Sequence, residues 1–288
     1  MMLLEGNLQG GQHLGIPVLD IDQAKAWYTE KLGFEVIHEP RIATDEGEIK
    51  VAFLKLGNMT LECYQLVGKE LEEIRTRGHG HIDHFTIDVL DIDQALGDAL
   101  KNGAELDEST PDGPVLIALF WSKGAKYVML KGPMGEKVEL NQRLDLDPSR
   151  RSEMLGGWNH LGIPVTEIEK SKAFYSKFGF QEIMNAEIPV DEDAVKAVMI
   201  QKDDFIIELY QLVGDELAEI GTRKDGHIDH IALNVVDIEK AYAELQAAGM
   251  KMIEDAPVYI AFWDRGSKYF NIRGPDGEKI EFNQIIKE

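Results

Sequence analysis

The stretch GHGHIDHFTIDV (residues 78–89) returns with few changes as DGHIDHIALNV (residues 225–235). Each opens on glycine and histidine and closes on alternating apolar and polar residues, the pattern of a strand with one buried face. Other segments repeat in the same order. QHLGIPV (12–18) returns as NHLGIPV (159–165), and YQLVG occurs at Tyr64 and again at Tyr210. GPMGEKVELNQ (132–142) returns as GPDGEKIEFNQ (274–284). The second copy lacks four residues that the first has between Gly103 and Trp121. Units of this length are domains and not solenoid repeats. The segment RLDLDPSRRSEMLGG (143–157) is polar, contains Pro148 and ends in glycines, so it reads as a connector. The sequence therefore predicts domains over residues 1–145 and 158–288, with a linker over 146–157.

Each copy divides again. HLGIPV is a short apolar run suited to a buried strand. DIDQAKAWYTEKLGF follows, with Ala24, Trp27, Tyr28 and Leu32 on one helical face and Gly33 as a stop. KVAFLKLG and MTLECYQL read as strands joined at a Gly-Asn turn. The plan then restarts. HIDHFTIDV is a strand, DIDQALGDALKNGA a helix ending at Gly103, and VLIALFW, AKYVMLKGP and EKVELNQ are strands. The chain thus holds four βαβββ modules and belongs to the α+β class.

Bulk properties narrow the function. The 288 residues carry a formal net charge of −22, which repels nucleic-acid backbones and anionic membranes at long range. Neither is an expected partner. No run reaches membrane-spanning length, and the N-terminus lacks the charged and apolar regions of a signal peptide. A single cysteine, Cys63, forbids an internal disulfide and suggests a reducing, cytoplasmic setting.

Strand alternation then sorts the polar residues. Phe85, Ile87 and Val89 point one way, toward the helix, while His84, Thr86 and Asp88 point the other. Thr60, Glu62 and Tyr64 share a face, and Glu139 points opposite to Val138 and Leu140. His13, Glu62, His84 and Glu139 all leave the helix-packed side of a sheet. The second copy supplies His160, Glu208, His230 and Glu281 at the matching places. Two imidazoles and two carboxylates form a set suited to Zn²⁺, Ni²⁺, Fe²⁺ or Mn²⁺. Spacing alone leaves both a metal set and a solvated open face standing.

The chain resembles the vicinal oxygen chelate superfamily, the glyoxalase I-like fold of paired βαβββ modules. The resemblance runs over residues 12–142 and 159–284, through the module order, AWYTEKLGF and AFYSKFGF, and GPMGEKVEL and GPDGEKIEF. It implies two domains with cupped mixed sheets, each cup around one divalent metal (Ni, Zn, Co, Fe or Mn), up to two ions per chain. It places the ligands at His13, Glu62, His84 and Glu139, and at His160, Glu208, His230 and Glu281. His79 is then a surface residue, and His81 and His227 are structural.

The resemblance also implies a chemistry. A small substrate with adjacent oxygens chelates the metal, an enediolate is stabilised, and Glu139 and Glu281 move the carbon proton. The leading expectation is a glyoxalase I-like lyase or isomerase. Glyoxalases that use glutathione have an arginine soon after the first ligand histidine and an asparagine beyond the second ligand. Here Pro17 and Pro164, and Leu66 and Leu212, stand in those neighbourhoods, which speaks against glutathione. A second branch is methylmalonyl-CoA epimerase, which LEEIRTRGHGHIDH resembles; its additional base would fall at Glu46 and Glu192. Extradiol dioxygenases use a two-His, one-carboxylate site in one domain only. A further class is the non-catalytic binding protein of the bleomycin-resistance type. Trp121, Lys126 and Tyr127, with Trp263, Lys268 and Tyr269, are candidates for a pocket mouth. The expected partner is a small-molecule substrate, and the expected state a monomer or homodimer. The resemblance implies two pairings, a cup within each half or a crossed one of His13 and Glu62 with His230 and Glu281, and of His160 and Glu208 with His84 and Glu139. Glyoxalase I-like proteins use the crossed one and other members the first. The within-half cup is favoured, because each half would then form its sheet and core unaided.

Overall fold

The structure is a computed structural model that describes residues 2–191 and 193–287. All four modules form. The first runs from the Leu8–Pro17 strand and the Ile21–Leu32 helix to the strands Gly47–Leu56 and Met59–Gln65. The third repeats it with Leu155–Pro164, Ile168–Ser176, Asp193–Lys202 and Phe205–Gln211. The second has His84–Val89, Ile92–Lys101, Ala125–Lys131 and Lys137–Arg143, and the fourth has His230–Val235, Ile238–Ala247, Ser267–Arg273 and Lys279–Ile285. Short helices Gly68–Ile74 and Gly214–Ile220, not anticipated from the sequence, lead out of the first and third modules.

One device recurs in every module. The last strand carries, at its final or penultimate position, a glutamine whose side-chain carbonyl accepts the first amide of that module's helix. The pairs are Gln65–Ile21 (3.0 Å), Gln142–Ile92 (3.1 Å), Gln211–Ile168 (2.9 Å) and Gln284–Ile238 (3.0 Å). The amides at a helix start have no intrahelical acceptor, so each glutamine ties its helix to the last strand of its own module. Asp20, Asp91 and Asp237 cap three of the same helices, and the first helix stops at Gly33, whose φ is 72°.

Two mixed sheets result, of ten and nine strands among the described residues. They do not follow the two halves of the sequence. In the first sheet, Leu8–Pro17 of the first module pairs antiparallel with His230–Val235 of the fourth. In the second, Leu155–Pro164 of the third module pairs antiparallel with His84–Val89 of the second. The expected within-half cup is therefore replaced by a crossed one.

Two features explain the crossing. The segments that leave the short helices pass back to back, with Gly80 against Gly226 so closely that neither position has room for a Cβ. His81 N–H donates to Lys224 O (3.1 Å) and His227 N–H to Gly78 O (3.0 Å), and Arg77–Asp229 (2.7 Å) and Arg223–Asp83 (3.0 Å) close the crossing. The halves also need no sheet of their own to form a core. Helix-facing residues of all four modules merge into one buried cluster between the sheets, including Leu14, Phe85, Leu161 and Ile231. Within each half the contact is made there, by Tyr28 donating to Glu136 and Tyr175 donating to Glu278.

Two boundaries differ from the sequence expectation. The strand of the third module starts at Leu155, inside the expected linker, because Leu155 takes up pairing with Val89. Asp88 holds Arg150 and Arg151 of the connector against the same strand. VLIALFW is a strand only over Val115–Ile117 and then turns, with Trp121 at a φ of 55°.

Candidate metal centre

The donors of each cup come from four adjacent central strands. In the first sheet, Glu62, Gly15 and His230 stand in one row across the strands. His13, Ala232 and Glu281 stand in the next. In the second sheet, Glu208, Gly162 and His84 form one row, and His160, Thr86 and Glu139 the other. Each patch is a chequer of four donors with small residues between them.

The donor atoms converge. In the first cup, His13 Nε2 lies 2.8 Å from Glu62 Oε2 and 3.7 Å from Glu281 Oε1. His230 Nε2 lies 3.9 Å and 3.7 Å from the same two carboxylates. In the second, His84 Nε2 is 3.5 Å from Glu139 and 3.4 Å from Glu208. His160 Nε2 is 3.9 Å and 3.5 Å from them. All eight residues are buried, none more than 9% exposed.

Every one of these imidazoles is oriented through its other nitrogen. The Nδ1 atoms face Gln12 Oε1 (3.0 Å), Asp83 Oδ2 (3.3 Å), Asn159 Oδ1 (2.8 Å) and Asp229 Oδ2 (3.0 Å). An Nδ1–H donated to these acceptors leaves the Nε2 lone pair aimed into the cup, the usual way a histidine is prepared for a cation. His84 Nε2 is buried without a hydrogen-bond partner. His13 Nε2 and His230 Nε2 face each other at 3.3 Å, a contact of two lone pairs that requires a proton or a cation between them. These observations fit a divalent ion. Sequence reading missed the orienting residues, although the signal was present: an amide precedes His13 and His160, and an aspartate precedes His84 and His230, in both copies.

Gly15 and Gly162 were also missed. A Cβ at either would fall inside the ring of the histidine across the ladder, His230 or His84. Gly162→Ala should push His84 out of place. Full-length Gly162→Ala is expected to retain one ion per chain instead of two by metal analysis, and to lose roughly 1–3 kcal/mol of stability from overpacking. Retention of two ions would contradict this seat.

Charge divides the carboxylates. Burial raises the pKa of Glu139 and of Glu281. Burial acts on Glu208 too, but His160 and His84 outweigh it and bring it down to about 2; Glu62 is lowered likewise, mainly by His13. Against burial, Asp83, Glu208 and Glu139 lift His84 from 6.5 to about 10. His84 then keeps its proton up to that pH, and an ion entering below it must displace the proton. Calorimetry near pH 8 in buffers of different protonation heat should read proton release on ion binding at this cup, with affinity rising as pH is raised. No proton release would refute the expectation.

Each donor set lies in a cavity of about 380 Å³. Trp263 and Tyr269 line the first and Tyr127 the second. Trp263 stacks on His38 at 4.5 Å, whereas Trp121 lies under the Arg143 guanidinium. Lys126 and Lys268 instead pair with Asp93 and Glu239 at the surface. His79 is exposed, and His227 is held by Arg77 O (2.9 Å). Glu46 is exposed in the turn between Arg41–Thr44 and Gly47–Leu56. Glu192 lies outside the described residues. Cys63 is buried. Among the described residues no helix is long and apolar enough to cross a membrane.

Fold and site together define a protein of paired βαβββ modules with two crossed cups, each carrying two imidazoles and two carboxylates. The family model of the Glyoxalase/Bleomycin resistance protein/Dioxygenase superfamily matches residues 11–140 and 157–282. The chain belongs to that superfamily. It is 31% identical over 129 residues to an uncharacterized protein of Bacillus subtilis (strain 168), YwbC, a match covering 44% of this chain and 95% of that protein. It is 25% identical over 104 residues to the mitochondrial methylmalonyl-CoA epimerase of Bos taurus, covering 35% of this chain and 59% of the epimerase. Glyoxalase I from Zea mays shares the fold, with a TM-score of 0.73 at 19% identity, over 97% of this chain and 94% of that one.

Proposed function

We propose that the chain is a divalent-metal-dependent lyase or isomerase of the glyoxalase I type, acting on a small substrate with adjacent oxygens. The observation that carries this reading is the convergence of four buried donors, with both histidine Nε2 atoms aimed inward, on the floor of each cavity. A divalent ion held by His13, Glu62, His230 and Glu281, or by His160, Glu208, His84 and Glu139, supplies Lewis-acid stabilisation of negative charge on a substrate oxygen.

The remaining work belongs to the side chains. Glu139 and Glu281 sit where burial favours the neutral carboxyl, so they are the groups suited to take a proton from substrate carbon and return it. Asn141 Nδ2 and Asn283 Nδ2 each donate to the Oε1 of the glutamate two positions back (2.8 Å in both), which fixes the carboxylate plane. Glu62 and Glu208 are held in the anionic form and balance charge. Phe53 and Phe262 in the first cup, and Phe120 in the second, keep water from part of each cavity.

Similarity to the epimerase supports a second reading, proton exchange on a 2-methyl acyl-CoA. Glu46 is exposed and does not line the first cavity, which disfavours it as the second base, and a net charge of −22 opposes an anionic coenzyme A ester. Two carboxylates in each cup fit an extradiol dioxygenase poorly, and intact donor sets are not needed by a pure binding protein. Metal analysis followed by assays with hemithioacetals, 2-methyl acyl-CoAs and catechols tests the proposal. Hemithioacetal turnover that a chelator abolishes and added metal restores is expected. Turnover of acyl-CoA or catechol alone would replace the proposal with the corresponding alternative, and absence of both metal and turnover with a binding role.

A further inference from the structure

The two cups repeat their donors but not their walls. Asn271 stands opposite Glu281 in the antiparallel ladder, where Met129 stands opposite Glu139. Ser267 holds the place that Ala125 holds in the other sheet. The Asn271 amide donates to Glu254 Oε2 (2.6 Å), and Asn271 Nδ2 donates to Glu254 Oε1 (3.0 Å). The Met129 amide is taken instead by the Thr110 hydroxyl (2.9 Å). The first cavity is thus lined by a serine, an asparagine and a carboxylate, whereas at the matching places of the second sheet stand Met129, which lines the cavity, and Ala125, which is packed in an apolar cluster.

These polar groups are not all used within the protein. Ser267, Asn271 and Asn283 are among the residues that line the first cavity, and their Oγ, Oδ1 and Oδ1 atoms are buried in its wall. Their residues are 1%, 6% and 6% exposed, and the atoms have no hydrogen-bond partner. Buried polar atoms without partners are costly and call for an explanation. Two are carbonyl oxygens and the carboxylate beside them also accepts, so the wall is matched by a ligand that brings O–H donors. Across the cavity, Phe53 and Trp263 form an apolar face with ring centroids 5.0 Å apart. In the second sheet Met199 replaces Phe53, and Ala197 replaces Val51.

We infer that the first cup is built for a short polyhydroxylated oxo compound and the second for one with an alkyl substituent, so that one chain serves two substrate classes. The inference rests on the metal-centre reading above and adds a specificity wall to it. Ser267, Asn271 and Glu254 receive the hydroxyls in the first cup. In the second cup Met129 stands where Asn271 stands in the first, and a hydroxyl placed against it would be buried without a partner.

The test uses full-length protein loaded with Zn²⁺ and two probes of equal chain length that chelate through the same two oxygens. These are threonohydroxamate, which carries hydroxyls, and butyrohydroxamate, which does not. Calorimetry should show threonohydroxamate filling one site per chain at least about tenfold more tightly than the other, and butyrohydroxamate preferring the opposite site. Ser267→Ala with Asn271→Met should abolish the threonohydroxamate preference while zinc content stays unchanged. The reciprocal Ala125→Ser with Met129→Asn should create a second tight site, a result independent of whether the first variant folds. Equal binding at both cups, or a preference that survives Ser267→Ala with Asn271→Met, overturns the inference alone. Failure to take up zinc overturns the metal-centre reading and the inference with it.

Discussion

Protein in which His13 and His230 are both replaced by alanine is expected to bind one divalent ion per chain, and protein in which His13 and His84 are replaced is expected to bind none. The first pair shares a cup, since the two Nε2 atoms lie 3.3 Å apart, so both substitutions damage the same site. The second pair is divided between the sheets, so each substitution damages a different one. Removing one ligand already weakens a four-donor site severely, and a second loss in the same site adds little that a stoichiometry can register. A within-half arrangement reverses the two results, because His13 and His84 would then share a site. Metal analysis after gel filtration reads the difference as a whole ion per chain. In the same proteins the loss should not be explained by unfolding, which circular dichroism checks.

The second large effect concerns Glu139 and Glu281. Replacing both with glutamine should lower turnover by roughly 10²–10⁴-fold, the usual contribution of a positioned base. An amide cannot accept the carbon proton, and Asn141 and Asn283 would still hold the side-chain carbonyl. The substitution also removes an anionic donor, so turnover must be compared at saturating metal with ion content measured in parallel. Glu139→Gln alone should silence the second cup and leave the first active. A double variant that carries its metal and turns over at the wild-type rate would place the base elsewhere.

How far these residues were legible depends on the range of the interaction involved. The four helices and their strands followed from apolar periodicity, and Gly33 stops its helix as its conformation requires. The glutamines that hold each helix start were visible as repeated letters, but no local rule says that their side chains reach back across a module. The orienting Asp83 and Asp229 were likewise in view, next to the histidines. Their role emerges only when Nδ1 is seen to face them while Nε2 faces the cup. The expected strand VLIALFW failed past Ile117 because Phe120 and Trp121 are used in a turn and not in a ladder.

By itself the sequence determined the duplication, the βαβββ order of each module and the face from which His13, Glu62, His84, Glu139 and their four counterparts project. These are local consequences of chain covalency and of the two-residue pleat. Only the tertiary structure decided which four donors share a cup. The two halves are near-copies, so crossed and uncrossed pairings satisfy the same alternation and bury the same apolar faces, and local pattern cannot separate them. The choice lies in contacts far apart in the chain: Gly80 packed on Gly226, Arg77 on Asp229, Arg223 on Asp83, and an imidazole seated over Gly15 or Gly162.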